Sequence, residues 1–491
     1  ERLKRSIVCC SSSVIARTSR IFGIGHLASE MPVLYRNQLV DAPLMAQATQ
    51  TVRIYPSAGL HGTVRPPSSK YHTLRYIVAA MLARSICIVN DPAVSDDTRV
   101  LLRACEQLGV PVRFGDAPLG PGASQSLIVN GTGGQIKAPP GGILDVGNAG
   151  AVLRLMLSIC ALSPETITLT TPYAESLGRR PNADLLEALR QLGASIESST
   201  AEGTLPISIR GGKLRGGKLQ ISGKKSSQYI SSLLFLAPLL EDGLEIEIID
   251  GLTSANFVDL TIRVLEEAGI AVLTRERHRY YIVPGKQQYQ PREYTIPGDY
   301  PSAAALLAAI ATAKDEISIA NLQPDDADGE LLLEIFSRMG VQIIRDGYTI
   351  TARMHEPLRG IDLNGNLVID SVPVIAAALC FAQGKSRIYN IANLRYKESD
   401  RINDLAMELN KLGCRVIAAD DALEIEPTGA EGAHGGVSVD AHADHRLVQA
   451  LTIAGLASKQ PVMIEHAEHI SKSYPRFFAD LSVLGARIEW V

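Results

Sequence analysis

At 491 residues the chain is longer than one hydrophobic core usually serves, which predicts two domains. Its apolar fraction of 46% and charged fraction of 20% are those of an ordinary globular protein, and a net charge of −4 excludes a general pull toward nucleic acid or anionic membrane. The seven cysteines form no CxxC pair and read as buried free thiols, and no apolar run reaches the ~18 residues of a membrane-spanning helix.

Residues 1–50 stand apart. Five Lys or Arg and no acid lie between Arg2 and Ser29, around Ser11-Ser12-Ser13. This composition reads as a leader outside the packed fold. The expected location is the cytoplasm, or a plastid if the leader is a transit peptide. A short strand is expected from Thr51 to Tyr55.

From there one α/β unit recurs six times: an amphipathic helix that ends at a glycine, then a short apolar strand. The glycines are Gly109, Gly193, Gly269, Gly340, Gly413 and Gly485, spaced 84, 76, 71, 73 and 72 residues apart. Each fits the position after a helix where a positive φ turns the chain. Six such units hold too much core for one pair of layers, so a three-plus-three partition is expected. The break is expected near Ile296-Pro297-Gly298, with a second crossover at Pro66-Pro67. Lobe one then spans 67–297, lobe two combines 51–66 with 298–491, and two connections suggest a hinge.

Four segments carry unusual chemistry. Val64 to Arg75 is a polar loop entering a helix, with Lys70 and Arg75 near an N-terminus that already favours an anion. Gly147-Asn148-Ala149-Gly150 precedes a second helix and lets a ligand approach the backbone, with Arg179-Arg180-Pro181 one strand later. The run Arg395 to Arg401 follows an apolar strand and is expected to open a helix, although such a run also suits a solvated face. Asp444-His445-Arg446 and Lys472 sit at two further loop–helix junctions. If these junctions share one cleft, its cations would repel closure until a polyanionic ligand bound.

In this order the motifs resemble the enolpyruvyl transferase family, most closely its shikimate 3-phosphate branch, from about Thr51 to Val491. The resemblance implies a two-lobed inside-out α/β barrel built from βαβαββ-type units, three per lobe, with the site between the lobes. It implies phosphoenolpyruvate binding by Lys70, Asn148, Gly150, Arg180, Gln228, Arg401, Arg446 and Lys472. Acceptor binding is implied for Tyr71, Arg75, Ser226, Ser227, Ser254, Phe257, Asp370, Asn393 and Lys397. Asp370, Glu398 and Lys70 are the implied groups for proton transfer. Neither a metal nor a cofactor is implied, and the expected partners are small-molecule substrates acting on a monomer.

The implied reaction moves the 1-carboxyvinyl group of phosphoenolpyruvate to a hydroxyl of a phosphorylated acceptor through a tetrahedral intermediate, releasing phosphate. Departures from the family gather around the acceptor: Tyr71 stands where a Ser is usual, Phe257 replaces a Tyr, and Ala151 replaces a Thr. Shikimate 3-phosphate is the expected acceptor, and a nucleoside monophosphate such as UMP is the alternative. A UDP-N-acetylglucosamine enolpyruvyl transferase would carry a reactive Cys in the loop corresponding to Pro172 to Arg180, which has none. An RNA 3′-phosphate cyclase-like enzyme fits poorly with the net charge. Gly150 leaves room beside the phosphoenolpyruvate site, so anions such as glyphosate are expected to compete there.

Overall fold

The computed structural model describes residues 49–57, 59–115, 125–313, 315–324, 327–354, 356–428 and 432–491. The expected leader lies outside them apart from its last two residues.

Each unit contributes one four-stranded sheet, six in all among the described residues. In a typical sheet Ile143–Asp145 runs parallel to Ile167–Thr170, which pairs antiparallel with Ile207–Arg210, which in turn pairs antiparallel with Ser195–Ser198. Each unit also holds two helices of different character. Lys70–Leu82, Gly150–Cys160, Ser227–Leu236, Tyr300–Ala313, Val372–Leu379 and His445–Leu456 are buried nearly all round. Their apolar, often small side chains leave no face suited to water, so these helices pack against one another inside the sheets. The other six, among them Asp96–Gln107 and Asn403–Lys411, bury one face only. They end at the six repeat glycines, whose φ values run from 81° to 110°. Helices inside and sheets outside make this an inside-out α/β barrel.

Buried side chains fall into two cores, one drawn from Leu74 to Ile296 and the other from Val52–Val64 together with Tyr300–Ala486. The two chain crossings run side by side. Ser69 N–H donates to Pro297 O at 2.7 Å and Asp299 N–H to Pro67 O at 2.9 Å.

One finding extends the sequence reading and a second differs from it. The strand Val52–Ile54, expected ahead of the first unit, inserts antiparallel between Val462–Glu465 and Ile488–Trp490 and completes the sixth sheet. The run around Arg395–Arg401 does not open a helix directly: Ala392–Tyr396 is a 3-10 turn, a loop follows, and the helix starts at Asn403. Asp400 sets that start, because its Oδ1 accepts from the Asn403 and Ile402 N–H groups at 3.2 Å each.

Candidate active site

The N-terminal ends of the buried helices carry the side chains that meet between the cores. Ser69 caps the helix at Lys70, Ser226 the helix at Ser227, and Asp444 the helix at His445. Asp299 accepts from Ser302 N–H at 2.9 Å at the start of a fourth. A cap fixes the entry angle of the chain, so the neighbouring side chains are aimed by secondary structure rather than by loops. His442 and Ala443, just before Asp444, have φ values of 49° and 54°, a costly region for residues with a Cβ. His442 Nε2 lies 3.0 Å from Glu408 Oε1, and that contact holds the turn.

One half of the site is a cleft between the two cores. Ser226, Ser227, Gln228, Ser254 and Phe257 line it from the first core, and Asp370, Asn393 and Lys397 from the second. Tyr71 and Arg75 complete its wall. The cores are joined here by short polar contacts. Asn366 Oδ1 accepts from Ser254 N–H at 2.7 Å, and Asn393 Nδ2 donates to Thr253 Oγ1 at 2.7 Å. The Tyr71 hydroxyl donates to Asp370 Oδ2, while its ring leans on Phe257 with centroids 4.5 Å apart.

The other half is a buried lattice of charge. Arg401, 1% exposed, donates from Nε to Asp444 at 2.7 Å, from NH1 to Asp370 at 3.0 Å and from NH2 to Glu398 at 2.6 Å. Lys472 Nζ lies 2.8 Å from Glu398 Oε1 and donates to the Asn148 carbonyl at 2.7 Å, so it spans both cores. Arg180 NH2 is 3.8 Å from the same Glu398 oxygen. Lys70 Nζ pairs with Asp97 at 3.0 Å.

The expected mutual repulsion of cations is therefore compensated within the protein, because Asp97, Asp370, Glu398 and Asp444 stand between them. Two guanidiniums remain short of acceptors. Arg180 Nε and NH2 and Arg446 Nε and NH2 are buried with no hydrogen-bond partner, as is Asn148 Oδ1. Each such donor costs about 1–3 kcal/mol when nothing accepts from it, so this part of the lattice is built for an anion.

Protonation follows from this arrangement. Burial works to raise the Glu398 carboxyl, but Lys472, Arg401 and Arg180 outweigh it and hold the group well below the usual carboxylate range. The same contest at Asp370 is won by Lys397, Arg401 and Arg446, again downward. Burial, reinforced by Asp370, pushes the Tyr71 phenol well up and keeps it a proton donor. Burial lowers the Lys397 ammonium, with Asp370 opposing. Burial and Arg446 hold His445 neutral.

Lys70, Asn148, Gly150, Arg180, Glu398, Arg401, Arg446 and Lys472 thus belong to one connected neighbourhood with the cleft residues. Arg401 also joins three carboxylates, Asp370, Glu398 and Asp444. Arg75, in the cleft wall, donates to Thr261 Oγ1, Tyr71 O and Phe257 O and so braces two helices. Sequence reading missed Asp97, Thr253, Asn366 and Lys225. Only Lys225, directly before the paired serines, left a readable signal. Among the described residues Glu398, Asp444 and His445 come close enough together to suggest a cation site. They do not fit one, because Arg401 and Lys472 already saturate both carboxylates.

The chain matches the family described as EPSP synthase (3-phosphoshikimate 1-carboxyvinyltransferase) over residues 54–481. It is 39% identical over 444 residues to the 3-phosphoshikimate 1-carboxyvinyltransferase of Deinococcus radiodurans, covering 90% of this chain and 98% of that one. The enzyme of the same name from Methanosarcina acetivorans is also 39% identical, over 438 residues, with 88% and 98% covered. Among solved structures, EPSP synthase from Acinetobacter baumannii aligns with a TM-score of 0.74 at 24% identity, covering 90% of this chain and 100% of that one. The enolpyruvyl transferase NikO from Streptomyces tendae aligns at 0.72 with 18% identity, covering 91% and 99%. At those identities the two structural likenesses speak for the fold alone.

Proposed function

The chain belongs to the EPSP synthase family, and from that membership we propose how its own residues carry out the transfer of the 1-carboxyvinyl group from phosphoenolpyruvate to shikimate 3-phosphate. The observation that carries the reading is the set of buried, partnerless donors on Arg180 and Arg446 beside Glu398 and Asp370. A phosphate and a carboxylate on one small molecule would satisfy them. The cleft lined by Ser226, Ser227, Ser254 and Lys397 takes the phosphorylated acceptor and turns its free hydroxyl toward Asp370. The divisions 67–297 and 51–66 with 298–491 act as two lobes around this site. All the residues come from one chain, so a monomer suffices.

In the addition step the acceptor oxygen bonds to C2 of phosphoenolpyruvate while a proton joins its methylene C3. Asp370, held ionised, accepts the hydroxyl proton. Glu398 is the proton donor, although Lys472, Arg401 and Arg180 favour its ionised form. Phosphoenolpyruvate resolves that conflict by drawing Lys472 and Arg180 onto its own anionic groups, which raises the Glu398 carboxyl toward a useful acidity. In the elimination step the C2–O bond to phosphate breaks, the departing phosphate takes up the proton that Asp370 had accepted, and C3 loses a proton to Glu398, restoring the double bond. Lys70, Arg180, Arg446 and Lys472 stabilise the charge on departing phosphate.

The test is phosphate release from phosphoenolpyruvate in the presence of shikimate 3-phosphate or UMP. Turnover with shikimate 3-phosphate and none with UMP is expected. The reverse result would move the chain to a nucleoside acceptor. No helix among the described residues is long and apolar enough to cross a membrane.

A further inference from the structure

Tyr71 lies between two spaces. One is the acceptor cleft. The other, behind it, is a recess whose walls include Leu260, Leu332, Val368, Ile369 and Pro301. Tyr71, Phe257 and Asp370 line both. The Tyr71 hydroxyl sits on Asp370 Oδ2, the oxygen left over after Arg401 and Lys397 have approached Oδ1 at 3.0 and 3.8 Å. An acceptor hydroxyl that is to reach Asp370 must meet this same oxygen.

We infer that Tyr71 is a gate for the acceptor: its hydroxyl holds Asp370 in the acceptor's place, and its ring retires into the recess when an acceptor hydroxyl takes over the carboxylate. This inference rests on the proposed function and adds a specificity device to it.

Three features favour the exchange. Tyr71 is the second residue of its helix, after the cap Ser69, so no preceding turn restricts its rotamers. The recess offers the aliphatic side chains of Leu260, Leu332, Val368 and Ile369, which suit a phenyl face. Arg75 fixes the backbone at both Tyr71 and Phe257 by donating to each carbonyl at 3.1 Å, so the ring can turn while its main chain stays.

The gate discriminates because opening it breaks a hydrogen bond to a charged group and a ring contact. A ligand that offers Asp370 a hydroxyl restores the first. One that presents only its phosphate does not.

The experiment is a double-mutant cycle on the full chain. Leu332→Trp narrows the recess, Tyr71→Ser removes the gate, and each is read by the KM for shikimate 3-phosphate, the KM for phosphoenolpyruvate, kcat and thermal midpoint. In the wild-type background Leu332→Trp should raise the acceptor KM by roughly tenfold, about 1.4 kcal/mol, with the phosphoenolpyruvate KM unchanged. In the Tyr71→Ser background the same substitution should leave the acceptor KM unchanged. Tyr71→Phe, which keeps the ring but releases Asp370, should lower the acceptor KM by roughly threefold to tenfold.

Equal shifts in both backgrounds, or a raised acceptor KM in Tyr71→Phe, would overturn the gate. Leu260→Phe repeats the narrowing from another wall should Leu332→Trp fail to fold. Wild-type protein inert toward shikimate 3-phosphate would instead sink the functional reading itself.

Discussion

Replacing Glu398 with Gln separates proton transfer from binding, because the substitution keeps shape and removes charge. The lost carboxylate faces Lys472 at 2.8 Å, Arg401 at 2.6 Å and Arg180 at 3.8 Å. One charge pair near 4 Å at an effective permittivity of 20 is worth about 4 kcal/mol before desolvation is subtracted. A net release of about 1.5–3 kcal/mol toward an incoming anion is therefore expected, so phosphoenolpyruvate should bind about 10- to 100-fold more tightly. Turnover should move the other way, falling by about 10²–10⁴, since an amide neither gives nor takes the proton. Calorimetric titration with phosphoenolpyruvate, with shikimate 3-phosphate present, measures the first effect, and phosphate release measures the second. The thermal midpoint should also fall without ligand, as three cations lose a shared partner, and recover with added phosphate. Weaker binding together with slower turnover would refute the competition between Glu398 and substrate. Near-normal turnover would refute the assignment of proton transfer.

Gly150→Ala should raise the phosphoenolpyruvate KM by roughly tenfold in steady-state assays, about 1.4 kcal/mol. A Cβ there would lie 2.7 Å from Arg154 NH1 and 2.9 Å from Arg180 NH1, so both guanidiniums must shift. Arg401→Lys should destabilise the fold by about 3–5 kcal/mol in urea melts, because one ammonium cannot serve Asp370, Glu398 and Asp444 together. His72, pushed down to about 3 by burial and by Arg75, stays neutral in the folded chain but gains a proton on unfolding below about pH 6.5. The unfolded state then binds more protons, so stability falls as pH drops from about 6.5 toward 3. His72→Gln should flatten that slope by about 1.4 kcal/mol per pH unit in denaturant melts at stepped pH.

How far the sequence reached depended on the range of the interaction. The repeat was legible because each helix ends in a local demand for positive φ, and Gly109 through Gly485 meet it at near-regular spacing. The cations were legible because loop–helix junctions concentrate ligand-facing groups in α/β folds, and Lys70, Arg180 and Lys472 stand at such junctions. Their carboxylate partners were harder to see. Asp97 looks like any acid in the first turn of an amphipathic helix, and only the packing of Asp96–Gln107 beside Lys70–Leu82 brings it to Lys70. Arg401 was placed correctly in the charged run, but its contacts with Asp370, Glu398 and Asp444 depend on three separate segments of two units meeting. The role of Tyr71 depends on a contact with a residue 299 positions away.

The strand Val52–Ile54 bears on how the protein is made. It stands between two strands that close the chain, and its partners Ile464 and Trp490 are translated more than 400 residues later. During synthesis the first core, Leu74 to Ile296, can assemble while this segment trails from it unpaired. The second core can only be sealed once the strand Ile488–Trp490 has left the ribosome, so its formation is late relative to the first core and of high contact order. A circular permutant that opens between Pro297 and Gly298 and links Val491 to Thr51, which already meet at 3.0 Å, would make these strands neighbours in sequence, and would let each core mature as its own stretch of chain emerges.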